Sequence, residues 1–257
     1  LTSINFPDSL IDIGNEAFYS CWSLTSVVFG EGLTSIGQCA FFGVGITSIS
    51  FPDSLTSIGK SAFEGCSSLA EITLPSSLKN IGETSFYRCK SLKCVTIPGS
   101  VKSISEGVFK NCSELSSLVI ENGVSSIGSS AFEACTKIKS VAIPDSVTNI
   151  GYAAFAYCEG LEDAMIGNGV TTIGNSAFDG CKALESVTLG SGVKDLGRMV
   201  FSGCTKLETV TLDENNQIVD VTGHTCPRGK KYAESEVTNP VRTLTSTVTV
   251  QTKDGYA

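Results

Sequence analysis

A repeat constrains this chain more than anything else in it. Units open at Leu1, Leu24, Ile46, Leu69, Leu92, Leu115, Ile138, Leu161 and Leu184; each has 23 residues except the unit at Leu24, which has 22. A tenth opens at Leu207 as LETVTL and then fails. A unit of this length cannot bury its own apolar face. The chain must therefore fold by stacking coil on coil.

Four columns define the unit. The first is L-x-x-V/I-x-L/I/F, as in Leu69, Ile72 and Leu74. Its last two apolar positions alternate, which predicts a short strand with one buried face. The second is a turn, written Pro52-Asp53-Ser54 or Pro144-Asp145-Ser146 in some units and Gly167-Asn168-Gly169 in others. Proline presets φ there, and Gly and Asn tolerate positive φ. The third is L/V-x-x-I-G, as in Val147, Ile150 and Gly151. The fourth is A-F-x-x-C, as in Ala131, Phe132 and Cys135, whose spacing predicts a short helical turn carrying Phe and Cys on one side. Phe holds its place in all nine units, from Phe18 to Phe201. The Gly after Ile holds in eight, with Ser105 the exception.

The run from Ile138 to Cys158, IKSVAIPDSVTNIGYAAFAYC, resembles the BspA-type leucine-rich repeats of bacterial and protist surface proteins. The resemblance covers residues 1 to about 212. It implies surface display, adhesion to host or matrix proteins, and cell–cell contact. The expected fold class is an α/β-type repeat: a right-handed leucine-rich-repeat solenoid of about nine 23-residue coils, with short strands and helical turns, over residues 1–212. Strands about 4.8 Å apart would make a rod of roughly 45 Å.

Residues 213–257 are different. The repeat stops, charge density rises and no Phe appears. Val248-Thr249-Val250 alternate like a strand, and Tyr232 to Glu236 predict a helical turn. The words TGHTCPRGKKYAESE (Thr222 to Glu236) and TNPVRTLTSTV (Thr238 to Val248) resemble a small uncharacterised bacterial domain encoded beside glycerol-type FAD dehydrogenases. That family carries an earlier C-x-x-C-P-x-G-C cluster, which implies a metal or iron–sulfur site. Of the family's four cysteines, three in that cluster and one later, only the last, Cys226, is present, so the site cannot be completed within this chain. Two readings stay open for this segment: a cap on the last coil or part of a second domain.

Eight of the 11 cysteines fall in one repeat column: Cys21, Cys66, Cys89, Cys112, Cys135, Cys158, Cys181 and Cys204. Val44 fills that column in the second unit, so the column reads as apolar and buried rather than as disulfides or metal ligands. Cys94 lies off it, at an outward strand place. The single histidine, His224, lies outside the repeats, which removes Ser-His-Asp and Cys-His schemes from the solenoid. The chain is therefore expected not to be an enzyme and to hold no cofactor or metal.

The net charge of −8, with 18 Lys and Arg against 26 Asp and Glu, argues against a nucleic-acid partner. No apolar run approaches 18 residues, so no direct membrane insertion is expected. The chain opens mid-pattern at Leu1 with no initiator Met, and it reads as a fragment of a longer extracellular or cell-surface protein.

In curved solenoids the strand face commonly binds. Its outward places hold the candidate ligand-binding residues: Ser48, Ser50, Glu71, Thr73, Thr96, Ser117, Ser140, Asp163, Ser186 and Thr188. The plainer reading is that Ser and Thr simply suit solvent-facing strands. The aromatics Tyr19, Trp22, Phe42 and Tyr87 are expected to be exposed on the opposite edge. The functional expectation is a cell-surface module binding a protein or other macromolecular surface ligand. The alternatives are a structural spacer or scaffold and, from the tail alone, an accessory segment of an oxidoreductase.

Overall fold

The computed structural model describes residues 1–212, together with the backbone of residues 220–221 and 250–251. Nine coils stack in parallel register, and each contributes a longer strand, a turn, a two-residue strand and the Phe–Cys segment. Pairing partners lie one repeat apart, as in Ser140↔Asp163 and Ile143↔Ile166. The longer strands run from Ser3–Asn5 to Thr209–Leu212 and hydrogen-bond as one pair and two runs of four. The first break precedes Ser48–Ser50, just after the one-residue shortening at Val44-Gly45-Ile46. The short strands form a second parallel face, in runs of four and five. Asp220–Val221 pairs antiparallel with Val250–Gln251. Val250 is thus in a strand, while Val248, Thr249 and the expected helical turn of Tyr232 to Glu236 lie outside the described residues.

The core is the sum of the columns. The nine repeat phenylalanines stack with ring centroids 5.1–5.8 Å apart. From Phe41 to Phe178 they are wholly buried. Each coil thereby covers the apolar surface of the next, which no single coil can do alone.

The expected helical turns are not there: no helix occurs among the described residues. The reason is backbone conformation. Each coil places two residues in the left-handed region, four apart, on either side of its Phe: Cys39 (φ 53°) and Gly43 (70°), Thr84 (53°) and Arg88 (61°), Ala153 (51°) and Tyr157 (59°). A right-handed helix cannot pass through such residues. Alternate N–H groups instead point to the next coil. Cys39, Phe41 and Gly43 donate to the carbonyls of Lys60, Ala62 and Glu64 at 2.8–2.9 Å. The groups between them turn back, with Ala40, Phe42 and Val44 donating three residues upstream at 3.2–3.4 Å. Left-handed conformation costs an L-residue about 1–2 kcal/mol, and the gain is a backbone ladder between coils.

The Cys column completes this edge. The Sγ–H of Cys66 donates to the carbonyl of Phe41, and those of Cys89, Cys112, Cys135, Cys158, Cys181 and Cys204 repeat the bond to the Phe of the preceding coil, all at 3.1–3.3 Å. All seven are free thiols. Burial pushes Cys66 and Cys158 up to about 12 and holds Cys89, Cys112 and Cys135 well above the ordinary thiol value. Cys181 is raised first by its contact with the Cys204 thiol and then by burial. These are structural thiols, not nucleophiles.

Candidate functional site

The longer strands alternate inward and outward as the pleat requires, and the outward places make one continuous surface. Ser48, Ser50, Glu71, Thr73, Thr96, Ser117, Ser140 and Asp163 are exposed on it, and Ser186 and Thr188 are half-buried. The pairing register brings neighbours side by side: Ser48 beside Glu71, Ser50 beside Thr73, Thr96 beside Val119, and Ser140 beside Asp163. The candidate residues therefore share a face but form a strip rather than a cluster. At its C-terminal end the hydroxyls find partners within the strip: Ser186 donates to Asp163 (2.5 Å), and Thr211 donates to Thr188 (3.2 Å). Cys94 is exposed in the same strip, between Glu71 and Ser117.

Alternation assigns Val119, Ala142 and Met165 outward at the fifth place of three successive coils, though not as ligand-binding residues, and they form an exposed apolar stripe. Met165 is 61% exposed and Val119 48%. Beside the stripe lies a groove of about 480 Å³ lined by Ala142, Met165 and Thr188 and by the turn residues Asn122, Pro144, Asp145 and Asn168. The rim is pre-ordered. Asp145 Oδ1 accepts the Asn168 N–H (2.6 Å), and Asn168 Oδ1 accepts the Ser191 N–H (2.8 Å), so each turn side chain fastens the turn of the next coil.

The opposite edge differs from expectation. Tyr19 and Trp22 are exposed, but Phe42 is half-buried under Tyr19 (centroids 4.8 Å), and Tyr87 is half-buried beside the Arg88 guanidinium (4.8 Å). Tyr152 and Tyr157 are exposed there instead. Glu83 and Glu133 on this edge pair with Lys60 and Lys110, both at 2.8 Å. Among the described residues no group of three His, Cys, Asp or Glu side chains is placed to hold a metal, and no helix is long and apolar enough to cross a membrane. His224 and Cys226 lie outside the described residues. What the strip offers chemically is hydroxyls, two carboxylates, a thiol and an apolar stripe beside a groove.

The family model for the BspA type leucine rich repeat region matches residues 1–116 and 102–223. The chain belongs to this family. Residues 227–256 match a second model, described as a protein of unknown function (DUF1667). No curated protein matches. Three solved structures are each 26% identical. One is a leucine-rich repeat protein from Bacteroides ovatus (TM-score 0.58, covering 80% of this chain and 71% of that one). Another is a leucine rich cell surface protein from Faecalibacterium prausnitzii (0.54; 84% and 61%). The third is the pneumococcal vaccine antigen PcpA (0.53; 84% and 63%). The chain thus spans less than two thirds of the length of the latter two.

Proposed function

We propose that this chain is a cell-surface adhesion module that binds a protein ligand on its longer-strand face, centred on Val119, Ala142 and Met165. The observation that carries this reading is the exposed apolar stripe beside a pre-ordered groove on an otherwise hydroxyl-rich surface. Protein hot spots are desolvated apolar anchors ringed by polar groups. Met165 supplies such an anchor, and Asp145, Asp163, Asn168, Ser140 and Thr188 supply the ring. A similar structure named as a cell surface protein supports the location. The tail's likeness to a family of unknown function adds no activity to this reading.

The test is a surface-plasmon-resonance screen of the chain against extracellular-matrix and host cell-surface proteins, repeated with Met165→Asp. Saturable binding that weakens at least about 30-fold in the variant, the worth of a hot spot near 2 kcal/mol, is expected. Binding unchanged by Met165→Asp would move the ligand off this face. No binding to any protein would leave the solenoid a spacer.

A further inference from the structure

The second face, built by the short strands, is regular except at one seam. In the regular seams the Gly after Ile donates its N–H to the Ile carbonyl of the preceding coil: Gly59 to Ile36, Gly82 to Ile58, Gly128 to Ile104 and Gly151 to Ile127, at 2.7–2.8 Å. Only Gly fits there. A Cβ at Gly82 would lie 2.4 Å from the Lys60 nitrogen, and one at Gly151 would lie 2.7 Å from the Gly128 carbonyl carbon.

Ser105 puts a Cβ into that column. Its hydroxyl, not its N–H, donates to the Ile81 carbonyl (2.5 Å). The seam opens around it. Asn80–Ile81 and Ser103–Ile104 do not pair, although each pairs with the neighbour on its other side. The bond that Lys79 N–H makes to Thr56 and Ser125 N–H makes to Lys102 has no counterpart from Lys102 to Lys79. Ser100 completes the disruption. Ser54, Ser77 and Ser146 in its column donate to the preceding coil at 2.7 Å, whereas the buried Ser100 hydroxyl has no partner among the described residues. The Phe edge of the same two coils stays shut, with Phe86 N–H on the Val108 carbonyl at 2.9 Å.

The opening is a groove of about 530 Å³, lined by Lys79, Lys102, Ser100, Ser103, Ser105 and Asn80. Its charge is unusual for a chain of net charge −8. From Thr34 to Thr172 the two outward places of every short strand carry no carboxylate, and Lys79 and Lys102 are their only charges. Lys102 places its ammonium on the Gly99 and Gly123 carbonyls (3.1 and 3.2 Å), which leaves one of its three protons. Lys79 makes no ion pair among the described residues. Glu121, on the adjoining turn, is engaged by the Gly99 N–H (3.1 Å).

We propose that this opened seam is a binding site for an acidic saccharide, with a sulfate or carboxylate group on Lys79 and Lys102 and sugar hydroxyls on the serines and Asn80. Two ammonium groups supply charge-assisted donors for an oxyanion. The unpartnered Ser100 hydroxyl and its neighbours match a polyhydroxyl ring. The volume far exceeds that of a lone ion, given about 30 Å³ for a water molecule. The groove has no aromatic anchor for a protein hot spot and no extended basic stripe for nucleic acid. This site is on a different face from the protein-binding strip and stands or falls separately.

Isothermal titration with a heparin-derived tetrasaccharide, neutral maltotetraose and inorganic sulfate tests the assignment. One saturable site for the acidic tetrasaccharide is expected, with no binding of maltotetraose and much weaker binding of sulfate. Lys79→Ala should weaken it about tenfold, the loss of one charge-assisted bond. Ser105→Gly, which restores the repeat and closes the groove, should abolish binding while the far-ultraviolet spectrum and thermal midpoint are retained. Lys182→Ala, whose lysine pairs with Glu159 elsewhere, should leave it unchanged. No saturable binding, binding that survives Ser105→Gly, or sulfate binding as tightly as the tetrasaccharide would each overturn the proposal.

Discussion

The Cys edge and the Gly edge of the solenoid both fasten coil to coil, but they do so in opposite ways. The Cys edge works through a side chain that fills space and donates one bond to a carbonyl already present. The Gly edge works through the lack of a side chain, which lets two backbones meet. Their tolerance differs accordingly. Val44 replaces Cys, is wholly buried, and the Phe41–Phe63 stack passes it at 5.3 Å. Ser105 replaces Gly, and the short-strand ladder of that seam is lost. A column of volume accepts another apolar residue of similar size, whereas a column of close approach keeps its ladder only where the residue carries no side chain.

The Cys column should make the stability of the fold fall steeply at high pH. Thiols held neutral by burial favour the folded state least at high pH. The unfolded chain ionises from the ordinary thiol value of 9.0, while Cys66 and Cys158 in the folded chain wait until about 12. Stability from the column is therefore complete below pH 9 and is lost as pH rises from 9 towards 12. The loss is about 1.4 kcal/mol per pH unit for each buried thiol, summed over the column. Chemical denaturation followed from pH 8 to pH 11 should show a steep fall. A Cys135→Val variant, which repeats the natural exchange at Val44, should show a slope smaller by one thiol. A flat profile would mean that the column is not buried in solution.

Gly174→Ala attacks the other column. Its Cβ would lie 2.7 Å from the Gly151 carbonyl carbon and the Tyr152 nitrogen, both backbone atoms that cannot swing aside. A loss of about 1–3 kcal/mol in urea denaturation is expected, as for other overpacked sites. A loss below a few tenths would show that the coils separate without cost and that the Gly column is no tighter than the Cys column.

A smaller effect tests how strictly the core is apolar. Ser85 stands where most coils have Ala before the Phe, is wholly buried, and its hydroxyl has no partner among the described residues. Ser85→Ala should raise stability by about 1 kcal/mol by removing an unsatisfied polar group. No change in the urea midpoint would place an unseen partner on that hydroxyl.

Much of this architecture was legible in the sequence because the columns are one-dimensional records of stacking. Phe132 and Cys135 announce their burial by recurring, and Leu69, Ile72 and Leu74 announce a strand by alternating. Family membership followed from the same recurrence. The turns around Phe were not legible. Gly43, Gly65, Gly180, Gly203 and Asn111 mark the second left-handed position in five coils, but Thr84, Arg88, Tyr157 and Met199, which carry no preference for positive φ, fill such positions elsewhere, where the conformation is held by hydrogen bonds to a neighbouring coil. A three-residue spacing between Phe and Cys fits one such turn as well as it fits a helix. The candidate face was legible as a face, since alternation assigns Ser140 and Asp163 outward. Its groove was not, because Asp145 and Asn168 come from turns whose projection depends on the stack. Ser105 was visible as the one departure from Gly, but its consequence needed the neighbouring backbone.

Hydrogen exchange on the native chain and on Ser105→Gly tests most directly whether close approach of backbones, and not side-chain packing, closes the seams. In the native chain the amides of residues 102–105 should exchange faster than those of 125–128, and Ser105→Gly should slow them about fivefold or more, the worth of one regained hydrogen bond near 1 kcal/mol. Equal exchange in the two segments of the native chain, or no slowing in the variant, would contradict closure by backbone approach.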